Sequence, residues 1–169
     1  KVILNNYEKN SDGFYEDDKY IVAFASGHLL GLYSPSKYNE KWQNWNTDNL
    51  PIIPDKMLYE PIKGQNKLLN SLCRQMNRKD VESLVCATDA GREGELIFRL
   101  IYEYKHCTKP FKRLWLSSME EKAIAEGFKN LKPSASYDNL YNAAKCRQAA
   151  DWLVGMNGTR LFTIVYGNG

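Results

Sequence analysis

At 169 residues the chain has room for one domain with a real core and a short extension, and too little for a large multidomain enzyme. Hydrophobic residues make up 43% and charged residues 25%, a globular balance, and no run approaches the roughly 18 consecutive apolar residues of a membrane span. A net charge of +3 permits an anionic partner without requiring one.

The opening Lys1-Val2-Ile3-Leu4-Asn5-Asn6 has too short an apolar run for a secretory signal. Cys73, Cys86, Cys107 and Cys146 lie far apart with no C-x-x-C pair, which argues against a zinc site or a disulfide framework. Reduced thiols in the cytoplasm are expected, with no membrane partner. Asp12 to Glu16 and Lys19 to Ala25 are β-rich runs around Asp17-Asp18, predicting a hairpin that ends at Ser26-Gly27-His28. Tyr33 to Lys56 is a long polar connection containing Trp42, Trp45, Pro35, Pro51 and Pro54. It exceeds the roughly 12 to 15 structureless residues a compact domain tolerates, so packing of its tryptophans is expected to order it; base stacking is the alternative use of those rings.

Leu68, Leu69 and Leu72 predict a helix over Asn66 to Met76, and Leu84 to Thr88 is a short apolar run that predicts a buried strand. Leu96, Ile97, Leu100, Ile101 and Tyr104 then repeat at helical spacing from Glu93 to about Lys105, and a strand follows over Arg113 to Leu116. Ser118-Met119-Glu120-Glu121 has the form of a capping box opening a helix that stops before Pro133. Alternating strands and helices imply an α/β fold with a mainly parallel sheet flanked by helices. A last helix is expected from about Tyr137 to Leu153, and the residues after Gly155 read as the start of a different domain.

Chemistry concentrates in Ala87-Thr88-Asp89-Ala90-Gly91-Arg92-Glu93-Gly94-Glu95, which joins a strand to a helix. Ligands of open α/β sheets bind beyond the carboxyl ends of strands, where Asp89 falls, while Glu93 falls in the first turn of the helix. Gly91 and Gly94 let the backbone approach a ligand, and Arg92 supplies a planar donor for a phosphate oxygen. Two nearby carboxylates repel unless a cation or Arg92 neutralises them, and Mg²⁺ suits such a pair because it takes only one or two carboxylates and fills its remaining positions with water and phosphate. The other reading of the same spacing is that Asp89 caps the helix and that Glu93 and Glu95 favour its positive end. Arg147 and Asp151 stand four apart on one helix face and can pair. His28, after a strand and a glycine, is either a packing residue or part of a site.

The segment ATDAGREGEL resembles the Toprim motif of type IA DNA topoisomerases, D-x-D-x-E-G. Ser26-Gly27-His28-Leu29 is similar to that family's S-x-G-H-L, Trp45 to Pro54 to its W-x-x-x-x-L-P-I-x-P, and Arg113 to Ile124 to its R-L-W-x-S-S with the helix behind it. Arg147 to Arg160 is similar to R-x-x-x-D-W-x-V-G-x-N-x-T-R. The resemblance covers nearly the whole chain and is strongest to the bacterial topoisomerase III branch. It implies a Toprim domain over residues 1–132, with 133–169 beginning a helical DNA-binding domain. It further implies Mg²⁺ held by Asp89 and Glu93, with His28 and Arg113 near the reacting groups. Single-stranded or underwound DNA would lie along Arg92, Arg147, Gln148, Asp151 and Arg160, in a cytoplasmic, nucleoid-associated enzyme.

This chain departs from the family pattern in three ways. The E-K-P-S-like stretch of the family's first strand is not present, and Gly91 stands where the motif has its second Asp. The nucleophilic tyrosine of the family belongs to a later domain, so none of the 11 tyrosines takes that role. A weakened, metal-poor fragment, inactive alone in relaxing DNA, is the expectation. A primase-type or nuclease-type Toprim domain is one alternative, and a non-catalytic DNA-binding module is another.

Overall fold

The computed structural model describes residues 2–167. The chain falls into two compact units, Lys1–Leu30 with Pro61–Ala144, and Gly31–Glu60 with Lys145–Gly169. The strand at 132–133 joins the sheet of the first unit, and Asp138 pairs there with Arg99 at 2.6 Å.

The first unit opens with three short antiparallel strands, β1 (Glu8–Lys9), β2 (Tyr15–Glu16) and β3 (Ile21–Val22). The hairpin expected around Asp17-Asp18 is present: Asp17 Oδ1 accepts the N–H groups of Lys19 and Tyr20 at 2.8 and 2.6 Å. The preceding turn adds a third strand, closed by Asn10 Oδ1 accepting from Asp12 and Phe14 N–H, with Gly13 at φ +82°. Strands β4 (Leu30–Leu32) and β5 (Tyr59–Pro61) form a two-stranded sheet.

Helix α2 (Asn66–Met76) buries Leu69, Leu72 and Cys73, as its spacing predicts. It also anchors the hairpin sheet through polar bonds, since Asp12 accepts from Ser71, Arg74 and Gln75. Those bonds hold the Asp12 carboxyl at about 2, below the usual carboxylate range, Arg74 being the largest cause and Gln75 the next.

Strand β6 (Leu84–Cys86) runs parallel to β7 (Phe111–Arg113), and helix α3 (Arg92–Tyr104) connects them. The α/β class therefore holds, although the pairing of β7 with β8 (Lys132–Pro133) is antiparallel and makes the sheet mixed. Leu96, Leu100 and Ile101 on α3 pack into the core with Cys86 and Leu114. Strand β7 lies two residues earlier than expected, because Leu84 registers with Phe111.

Helix α4 (Glu121–Lys129) starts later than the capping box implies. Ser118 Oγ accepts from Glu120 N–H at 3.2 Å, closing a short serine turn instead of capping the helix, and Glu120 occupies the N-cap position with no side-chain bond. Gly127 of α4 lies against the leucines after β7; a Cβ there would stand 2.7 and 2.8 Å from Leu116 and Leu114 side-chain carbons.

In the second unit the connection between Tyr33 and Lys56 is ordered by short helices, α1 (Pro35–Tyr38) and 3₁₀ turns at Glu40–Gln43 and Thr47–Asn49. Helix α5 (Asp138–Tyr166) begins in the first unit and continues through Gly155 and Gly158, well beyond the expected end at Leu153. Each glycine costs a helix roughly 1 kcal/mol. That cost is offset by anchors before and between them: Trp152 donates its indole N–H to Tyr33 O, and Asn157 accepts from Ile52 N–H at 2.6 Å while donating to Ile52 O at 2.9 Å. Ile52 is fully buried as a result.

Candidate functional site

The site grows from the end of β6. Beyond Cys86 the chain passes through Ala87 to Gly91, where Gly91 is extended, and α3 begins at Arg92. Thr88 Oγ1 donates to Gly94 O at 2.7 Å and so ties the loop to the helix's first turn. Gly94 makes that approach possible: a Cβ there would sit well inside van der Waals distance of Asp89 O and 2.9 Å from Asp89 C and N. The glycine is therefore required by close packing of the Asp89 main chain on α3, and helical flexibility has no part in it.

Beneath this loop sits a buried charge cluster that the sequence reading did not single out. Glu95 is fully buried and accepts from Arg99 Nε at 2.7 Å and Arg113 Nε at 2.9 Å. Arg113, also fully buried, donates through Nη1 to Cys86 O, Thr88 O and Leu114 O and through Nη2 to Asp89 O at 2.6 Å. Every bond it makes is internal. The guanidinium has no face on the surface; it meets the Glu95 carboxylate and clamps the Asp89 peptide. The Glu95 and Arg99 spacing of four was a readable signal of an ion pair on one helix face; that the pair is buried was not readable.

Asp89 and Glu93 are both exposed. Among the described residues the Asp89 carboxylate has no hydrogen bond or ion pair, and the N-cap of α3 makes no side-chain bond, so Asp89 is not a helix cap. Glu93 Oε2 lies 3.1 Å from His28 Nε2, a pairing that spans 65 residues and brings the S-x-G-H-L segment to the first turn of α3. His28 Nδ1 is buried without a partner, and Gly27 before it sits at φ +76°. Arg92 is exposed and unpaired among the described residues. No three His, Cys, Asp or Glu side chains of the described residues group closely enough to hold a metal. Burial pushes the Cys86 thiol up, which makes it a poor source of a thiolate ligand.

The remaining candidates belong to the second unit. Arg147 and Asp151 form an exposed pair at 3.6 Å, and Gln148 has a buried Oε1 without a partner. Arg160 is 6% exposed; it donates to Trp42 O at 2.5 Å and lies over the Trp45 ring at 5.1 Å. Its guanidinium is engaged inside the unit by the Trp42 carbonyl and the Trp45 ring. Among the described residues no helix is long and apolar enough to cross a membrane.

The chain is 47% identical over 156 residues to "DNA topoisomerase 3" of Bacillus thuringiensis (strain Al Hakam), and 48% identical over 155 residues to the proteins of the same name from Bacillus licheniformis and Bacillus subtilis (strain 168). Each match covers 92% of this chain, while the chain spans only 21% of the length of these curated relatives. The Toprim domain family matches residues 7–119, a stretch that takes in His28, the loop from Ala87 to Gly91, the start of α3 and Arg113, and the chain belongs to that family.

Proposed function

We propose that this chain is the Toprim portion of a type IA DNA topoisomerase of the topoisomerase III kind. In this reading Asp89 and Glu93 hold Mg²⁺ beside the phosphodiester that a tyrosine outside this chain cuts and reseals. The observation that carries the reading is the contrast between three acids of one motif: Glu95 is consumed by two arginines, while Asp89 and Glu93 are exposed at the rim of the parallel strand pair and Asp89 has no partner. Similarity to topoisomerase 3 over 92% of the chain, beyond the Toprim region itself, favours this over a primase-type or nuclease-type domain.

The donor set fits Mg²⁺, a hard cation that takes oxygen ligands and keeps most of its water. Two exposed carboxylates with open solvent around them meet that requirement, and thiolate competition is absent at the buried Cys86. When bound, Mg²⁺ supplies positive charge for the phosphoryl oxygens and the leaving oxygen. The rest of the work belongs to this chain. Arg113 fixes the peptide of Asp89, His28 orients Glu93, and the Arg92 guanidinium is free to meet a phosphate oxygen. Arg147, Gln148 and Asp151 line the single strand in the second unit. Residues 1–132 form the Toprim domain in this reading, and 133–169 begin the helical DNA-binding domain.

Titration calorimetry with MgCl₂ and with MnCl₂, in the presence of a single-stranded oligonucleotide, tests the metal assignment. Saturable heat in the unaltered chain is expected, and its loss in Asp89→Ala and in Glu93→Ala. Equal heats in all three proteins, or none in the unaltered chain, would overturn it.

A further inference from the structure

We propose that Trp45 is a stacking platform for one base of single-stranded DNA, presented from below by Arg160. The inference rests on the single-stranded DNA substrate of the proposed function and adds to it a place where a base is held.

Trp45 is 51% exposed, whereas Trp152 of the same unit is partly buried and spends its indole N–H on Tyr33 O. A large aromatic ring left half in water on an otherwise braced loop asks for a partner. The bracing is extensive. Asn39 Oδ1 accepts from Lys41 N–H at 3.1 Å, Asn46 Oδ1 accepts from Asn49 N–H at 3.0 Å, and Asn49 Nδ2 donates to Lys41 O and Asn44 O at 2.7 and 3.0 Å. The loop that carries the ring is therefore ordered before any ligand arrives, which lowers the entropy cost of binding.

Arg160 supplies the second observation. It is 6% exposed, its guanidinium lies 5.1 Å from the Trp45 ring centroid, and its protein acceptor is the carbonyl of Trp42. Its Nε is buried with no partner, and no carboxylate pairs with it among the described residues. A buried cation without a counter-charge is costly, so an ordinary structural arginine would have a carboxylate beside it. Here the positive charge stays uncompensated under one face of an exposed ring. The exposed part of the ring suits a π surface, and the net positive charge suits the polyanion that carries it. Bases of any sequence offer such a surface, which matches recognition of single strands by stacking.

The test measures binding of this chain to two labelled oligonucleotides of roughly 12 nucleotides, one of thymidines and one abasic throughout, by fluorescence anisotropy. Trp45→Ala is expected to weaken the thymidine strand about tenfold, and Trp45→Phe by no more than about threefold, with abasic binding alike in all three proteins. Unchanged affinity in Trp45→Ala overturns the proposal. Equal weakening on both strands overturns it too, since it would show loss of loop structure instead of loss of a base contact. An unaltered chain that binds neither strand would overturn the DNA reading along with it, whereas the magnesium titration reports on the carboxylates independently.

Discussion

Replacing Glu95 with glutamine keeps the side-chain volume and withdraws one buried charge. Arg99 would retain Asp138 at 2.6 Å, but Arg113 would have no carboxylate left, because its other bonds go to the main-chain oxygens of Cys86, Thr88, Leu114 and Asp89. The new amide also turns an N–H group toward arginines that can only donate. Breaking a buried ion pair by removing one partner costs about 3–5 kcal/mol, against roughly 5–15 kcal/mol for a whole domain. With a urea slope of roughly 2 kcal/mol per molar, the unfolding midpoint falls by about 1.5–2.5 M. Urea titration followed by circular dichroism reads this directly. A fall of less than about 0.5 M would refute the reasoning, since the Glu95 charge would then not be what holds Arg113. The apolar double variant Glu95→Leu with Arg113→Met offers a further check. It removes both charges and so avoids an unpaired one, yet it strands the carbonyls that Arg113 served, and recovery to within about 1 kcal/mol of the unaltered chain is not expected.

Two other perturbations probe the neighbouring structure. Gly94→Ala forces the Asp89 main chain away from α3; a loss of about 1–3 kcal/mol in urea unfolding and of the magnesium heat is expected, and unchanged values of both would contradict the close packing described above. Asp12 has its carboxyl lowered to about 2 by Arg74, Gln75 and Ser71, so its contribution to stability is fully present above about pH 4 and is lost as the pH falls from there toward about 2. The melting temperature of the unaltered chain is expected to fall more steeply between those pH values than that of Asp12→Asn, and parallel curves would show that the anchor of the hairpin on α2 does not depend on the charge.

Periodicity was enough to read α2, α3 and the strands on either side of α3, because each buries one apolar face against a common core. The elements that differed are those where polar groups decide. Ser118 carries the letters of a capping box, but its hydroxyl takes the nearer N–H of Glu120 and α4 starts later. Gly155 suggested a boundary, and α5 runs through it because Asn157 and Trp152 bond to Ile52 and Tyr33, residues more than a hundred positions away. No local pattern encodes such a bond. The same limit applied at the site. The motif picked out Asp89 and Glu93, whereas the burial of Arg113 and Arg160, both of which hold main-chain carbonyls, depends on what folds over them.

The buried cluster accounts for why an exposed acid can remain unpaired at the rim of this sheet. Arg113 brings a full positive charge to within hydrogen-bonding distance of the Asp89 carbonyl, and Glu95 neutralises that charge from the opposite side. The buried cluster is therefore close to neutral, and the exposed Arg92 is the charge at the rim besides Asp89 and Glu93. Where the family motif has a second Asp this chain has Gly91, so one fewer carboxylate repels the others, and Glu93 needs only the neighbouring His28. A rim with two acids should hold a divalent cation less tightly than one with three, since affinity at such sites follows the number of ligand charges. It should also depend more on phosphate oxygens to complete the coordination. Gly91→Asp is the direct measure of this: tighter magnesium binding in the absence of oligonucleotide is expected, with a smaller gain on adding it. If Gly91→Asp binds no more tightly than the unaltered chain, the carboxylate at that position does not face the rim and the argument from charge number fails.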